Sequence, residues 1–111
     1  MTNGMNNSET APLQKLQEWR KSGIQGALAT VIATWGSSPR PIGSHLAVNE
    51  HGDFVGSVSA GCIEGEVVGA AMDTIKTGNY KFLEFGVSDQ TAWDVGLSCG
   101  GRIKVLVEKL T

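Results

Sequence analysis

Apolar and polar positions change period three times along the chain, and each change marks an element. In APLQKLQEWRKSG, residues 11–23, Leu13, Leu16, Trp19 and Arg20 recur at helical spacing. Pro12 suits a first turn and Gly23 a stop, so a short amphipathic helix is expected. GALATVIATWG, residues 26–36, is β-rich and almost wholly apolar, the pattern of a central strand covered on both faces. SHLAVNE and DFVGSVS then read as two strands of a hairpin split by HGD. From Cys62 the period returns to about 3.6, with Ile63, Val67, Ala70, Ala71 and Ile75 on one side of a helix that closes near Gly78. YKFLEFG predicts a further strand, 87–101 an irregular loop, and RIKVLVEKL a last strand in which Ile103, Val105 and Val107 alternate with charged or exposed positions. About five strands and two helices without regular β-α alternation predict a compact single domain of the α+β class. Residues 1–10 are polar and are expected to form a flexible N-terminus ahead of a domain over 11–111.

Composition narrows the function. A length of 111 residues suits one domain able to bury a core without disulfides. Nine Lys and Arg against 11 Asp and Glu give a formal charge of −2 with no basic block, which argues against nucleic acid or anionic lipid as partners. The sequence has no apolar run of about 20 residues and its start lacks the pattern of a signal peptide, so no membrane association is expected and the cytoplasm is the expected compartment. There, the two cysteines are expected to be thiols rather than a structural bridge.

Three loops carry candidate chemistry, each rich in small residues and each at a strand end: GSSPRPIG, SAGCIE and DVGLSCGGR. Cys62, with Gly61 before it, would open a helix, where free backbone N–H groups favour an anion and lower a thiol pKa. Gly100 and Gly101 would leave backbone N–H groups open to a ligand beside Cys99. Arg40, between two prolines, suits bidentate recognition of phosphate or carboxylate. The plainer alternatives stand beside these: either cysteine can pack as a small hydrophobe, and GSSPRPIG can be a rigid turn. His45 and His51 read as a strand and a turn residue, and the Cys and His spacings do not suit zinc. Glu64 and Glu66 lie two apart on a helix and cannot face one reacting centre. The three tryptophans read chiefly as packing anchors, Trp93 least clearly. Gly61, Gly65 and Gly69 repeat every fourth residue, which suggests close approach of the sheet or of a partner, and the apolar helix face is compatible with a homodimer.

GSSPRPIGSHLAV, GSVSAGCIEGEV and DVGLSCGGRIKVLVE, in that order, resemble the N-terminal domain of the XdhC/CoxI family, accessory factors of xanthine dehydrogenase and carbon monoxide dehydrogenase. The resemblance spans about residues 26–110. It implies a maturation factor more than a catalyst. Such a factor binds the molybdenum cofactor (molybdopterin) transiently, supports its sulfuration by a cysteine desulfurase, and inserts it into a molybdenum hydroxylase apoenzyme. Motif matching carries cofactor binding to Cys62, Cys99 and Arg40, with Gly61, Gly100 and Gly101 beside them; both cysteines are candidate metal ligands. The family often has two glycines before its first cysteine, where this chain has Ala60-Gly61. Longer members continue into a Rossmann-like domain outside these residues. Two other readings remain open: a cofactor-free interaction module, and a thiol-redox protein that uses Cys62 and Cys99, although C-x-x-C is missing.

Overall fold

The structure, a computed structural model, describes residues 7–35, 41–58, 64–86 and 102–110. Helix α1 (Asn7–Lys21) precedes strands β1 (Gly26–Trp35), β2 (His45–Asn49) and β3 (Phe54–Gly56), followed by helix α2 (Glu64–Thr77), β4 (Lys81–Gly86) and β5 (Arg102–Lys109). The strands form one antiparallel sheet in the order β3-β2-β1-β5-β4. The α+β class, the five strands, the two helices and the central place of β1 agree with the sequence pattern. Helix α1 begins at Asn7, so residues 7–10 of the segment expected to be flexible are helical. It runs through Pro12, which leaves one backbone N–H bond unmade.

Strand alternation builds two cores, one on each face. Ala27, Ala29 and Val31 of β1 point to one side with Leu46, Val48, Ile103, Val105 and Val107, where Val67, Ala71 and Ile75 of α2 cover them. On the opposite face Leu28 and Ala47 pack against Leu16 and Trp19 of α1. Each such buried large side chain contributes about 1.5–3 kcal/mol relative to exposure. Trp19 is therefore the packing anchor its spacing suggests. Lys81 of β4 pairs with Asp73 of α2 at 2.6 Å, and the Gly78 N–H returns to the Thr74 carbonyl at 2.8 Å where α2 ends.

The β2–β3 turn is built by one buried side chain. Asn49 Oδ1 accepts from the backbone N–H of His51 at 2.8 Å and of Asp53 at 3.1 Å, an arrangement in which an Asn side chain stands in for backbone. His45 opens β2 and His51 sits in this turn, as expected.

The close approach of the sheet that the glycine repeat suggested does not occur at Gly65 or Gly69, while Gly61 lies outside the described residues. A Cβ placed on Gly65 or Gly69 would meet nothing within 4 Å, so the sheet does not approach there. The buried side of α2 is Glu64, Val67, Ala71, Thr74 and Ile75. At about 100° per residue, Gly65 and Gly69 lie roughly 200° round the helix from Val67, on its solvent side.

Candidate functional site

Strand directions decide which loops share an end of the sheet. β1, β3 and β4 run towards the same end, from which β2 and β5 start, because every neighbouring pair is antiparallel. In the register, Gly86, Arg102 and Trp35 form one row across three strands. Segment 36–40 follows Trp35, 59–63 precedes Glu64, and 87–101 joins Gly86 to Arg102. The described ends of all three candidate loops therefore lie at one end of the molecule. Arg40, Gly61, Cys62, Cys99, Gly100 and Gly101, together with Trp93, fall outside the described residues.

Several devices shape this end. Between Val31 and Ala33 the β1–β5 register shifts by one residue, a bulge that re-aims the last residues of β1. Residues 41–44 then dock back on β1: Gly43 N–H donates to the Val31 carbonyl at 2.8 Å, and Val31 N–H to the Ser44 carbonyl at 3.0 Å. Ser44 is only 2% exposed, and its Oγ has no hydrogen-bond partner among the described residues. A buried hydroxyl left unpaired costs about 1–3 kcal/mol.

The chain leaves β3 through Gly56, whose φ is +105°. A Cβ there would overlap the His45 carbonyl oxygen and lie 2.7 Å from Pro12 Cγ. Only glycine takes this conformation in this space. Beyond it, Ser57 N–H donates to the His45 carbonyl at 3.0 Å, and His45 Nδ1 shares a hydrogen bond with Thr30 Oγ1 at 3.1 Å. The Ser57 hydroxyl then donates to Glu64 Oε2 at 2.7 Å, and Val58 N–H donates to the same oxygen at 3.0 Å. Thr30, His45, Ser57 and Glu64 thus link β1, β2, the end of β3 and the first residue of α2.

Electrostatics at this end are mixed. Glu64 and Glu66 are both in the first turn of α2, where the helix dipole favours negative charge. Glu64 is buried and Glu66 exposed, so the two do not share a centre, as their spacing implies. Arg102 pairs with Glu84 at 3.2 Å. Along the same sheet face, towards the opposite end, Lys104 Nζ stands 5.4 Å from the centre of the Phe82 ring, which meets Tyr80 edge-on at 5.5 Å. An open cleft of about 500 Å³, lined by Gln25, Glu50, Gly69, Met72, Asp73 and Lys76, lies towards the opposite end, away from the three loops.

Sequence reasoning missed Ser44, Gly56 and Glu64. The Glu64 contacts carried no capping-box signal, because its partners sit six and seven residues earlier on another element.

A profile of the XdhC and CoxI family matches residues 19–86. The molybdenum cofactor insertion chaperone PaoD of Escherichia coli (strain K12) is 32% identical over 90 residues, which cover 80% of this chain and 28% of that protein. A probable xanthine dehydrogenase subunit of Bacillus subtilis (strain 168) is 28% identical over 90 residues, 78% of this chain and 27% of that protein. A crystal structure of a xanthine dehydrogenase from Bacillus halodurans superposes with a TM-score of 0.74 at 27% identity, covering 90% of this chain and 30% of the other. The chain thus spans less than a third of the length of each of these relatives.

Proposed function

Since the chain belongs to the XdhC and CoxI family, we propose that it takes part in maturing a molybdenum hydroxylase of the xanthine dehydrogenase type, with the molybdenum cofactor as its cargo. The observation that carries this reading is the shared end of the sheet, from which all three motif loops depart. PaoD, named as a molybdenum cofactor insertion chaperone, supports it by similarity. In this role Arg40 recognises the cofactor phosphate, Cys62 and Cys99 offer soft sulfur to molybdenum, and the backbone N–H groups at Gly61, Gly100 and Gly101 approach the anionic part.

The described residues fit a polar cargo at this end. Ser44 brings a buried hydroxyl with unused hydrogen-bonding capacity, and a pterin or phosphate offers the partner it lacks. Sulfuration with a cysteine desulfurase as donor, delivery to the apoenzyme, a cytoplasmic setting and a homodimer belong to the same proposal. Among the described residues no helix is long and apolar enough to cross a membrane.

One observation favours a cofactor-free docking module as the second reading: Tyr80, Phe82 and Leu110 are exposed. Expression in a host that makes the molybdenum cofactor and in one blocked in its synthesis separates the two. The proposed role predicts pterin and molybdenum eluting with the protein from the first host only. A protein free of both from either host, yet still bound to a hydroxylase, would replace it with the docking reading.

A further inference from the structure

The two helices cover unequal shares of the sheet. Helix α2 lies across β1, β2, β4 and β5 on one face, whereas α1 packs on β1, β2 and β3 on the other. The β5–β4 half of that second face is left open. A solvated sheet face ordinarily reads as polar, yet here Phe82 is 55% exposed, meets the exposed Tyr80 edge-on and stands opposite the half-buried Leu106. Leu110, just past β5, is exposed as well. Adjoining apolar side chains of this kind, unlike scattered ones, mark a contact face.

Helix α1 makes this half-face a groove. Arg20 shares an open recess of about 380 Å³ with Ile24 and Leu110, so its flank of the helix looks over β5. Leu13, seven residues earlier and so within about 20° of Arg20 round the helix, is exposed on the same flank. Two strand spacings make the open half about 10 Å wide, and eight residues from Arg102 to Leu110 make it about 26 Å long. Those are the dimensions of one helix of about five turns lying beside α1.

Charge and pattern narrow the occupant. Arg20, Arg102 and Lys104 stand on this half against Glu84 and Glu108, a surplus of one positive charge on a chain whose formal charge is −2. Arg102 is paired with Glu84, while Arg20 and Lys104 make no ion pair among the described residues. An acidic partner is favoured. Neither described helix of a second copy suits the groove, since the outer side of α1 is Gln14, Gln17, Glu18 and Lys21 and that of α2 is Gly65, Glu66 and Gly69, all exposed. The half-face also adjoins the candidate site: Arg102 and Glu84 stand towards the end from which the three loops depart, Tyr80 and Leu110 at the other.

We propose that the open β5–β4 half-face is the docking surface for the hydroxylase apoenzyme, which lays on it an amphipathic helix, apolar over Phe82 and Leu106 and acidic along its flanks. The proposal rests on the function given above, and it seats the client beside the cargo end. Calorimetric titration of the full chain with the apo form of the xanthine dehydrogenase-type hydroxylase of the same organism, purified from a host blocked in cofactor synthesis, tests it. Phe82→Thr, which keeps strand propensity, should weaken binding about thirtyfold or more, as loss of an aromatic anchor does. Arg20→Glu should weaken it about tenfold at low salt and make it less sensitive to added salt. Lys76→Glu, on the other side of the molecule, should stay within about twofold of wild type, and all three should retain released molybdenum cofactor as wild type does.

Each departure has a distinct meaning. Normal hydroxylase affinity in folded Phe82→Thr overturns the docking surface and leaves the maturation role standing. Wild type that binds released cofactor but not the hydroxylase overturns the client as occupant, and wild type that binds neither overturns the function proposed above as well. A dimer seen by sedimentation velocity and abolished by Phe82→Thr puts a second copy on this face and overturns the proposal. Should Phe82→Thr not fold, Arg20→Glu, at an exposed helix position, decides the question: unchanged affinity and salt dependence overturn it.

Discussion

Gly56→Ala should be among the most damaging single-methyl additions this protein can receive. The residue has φ +105°, outside the narrow left-handed well that other residues tolerate, which costs an alanine about 1–3 kcal/mol. The added Cβ would also overlap the His45 carbonyl oxygen and crowd Pro12 Cγ at 2.7 Å. That oxygen cannot yield freely, since it accepts the Ser57 N–H and sits between paired strands. Overpacking against fixed neighbours adds about 1–3 kcal/mol, for a total of about 2–6 kcal/mol. Domains of this size are stable by only about 5–15 kcal/mol, so much of the reserve would go. Urea unfolding followed by circular dichroism and by tryptophan fluorescence measures the loss. With a slope near 2 kcal/mol per molar, within the usual range, the midpoint should fall by about 2 M. A loss below about 1 kcal/mol would refute the reasoning, because it would mean that the β3 exit relaxes and that the anchor before Ser57 is soft.

Gly69→Ala should have the opposite sign. The site is exposed, in the helix interior and open to a methyl group, so unfolding by urea should show a gain of about 0.5–1 kcal/mol. Ser44→Ala removes a buried hydroxyl that has no partner among the described residues; thermal melting should show a midpoint unchanged or raised, and cofactor titration an affinity lowered about fivefold or more, the loss of one neutral hydrogen bond. Asp73 provides the pH dependence: its hydrogen bond to Lys81 and the Lys81 charge hold its carboxyl below the ordinary range. The stabilisation this gives is present above the unfolded-state value of about 4 and is lost as pH falls through the folded one. Asp73→Asn should flatten the acid limb of a melting-temperature profile, by an amount that shrinks as salt rises, since the pair is exposed.

Much of the fold is legible in the sequence because burial imposes a period. The near-continuous apolar run at 26–35 announces a strand with two covered faces, and β1 is the central one. Gly23 and Gly78 mark where the helices stop, and the last strand shows its alternation in Ile103, Val105 and Val107. The outward direction of Gly65 and Gly69 was available from helical geometry relative to Val67, but glycine has no hydropathy of its own to announce a face. The bulge after Val31 was not legible, since a register shift depends on the partner strand. The Ser57–Glu64 contact and the orphaned Ser44 hydroxyl depend on how β3, β2 and α2 meet, which no local spacing encodes. For the candidate site, the sequence pointed to the loops. The strand directions supply the reason those loops start from one end.

Hydrogen exchange read by mass spectrometry, with and without the released molybdenum cofactor, tests that shared end most directly. Slower exchange is predicted together in peptides covering 36–44, 57–64 and 87–102, with the turn at 50–53 and residues 78–80 at the far end unchanged. Protection confined to a single one of these segments, or centred on the far end beside Gln25 and Glu50, would contradict a site built from all three loops.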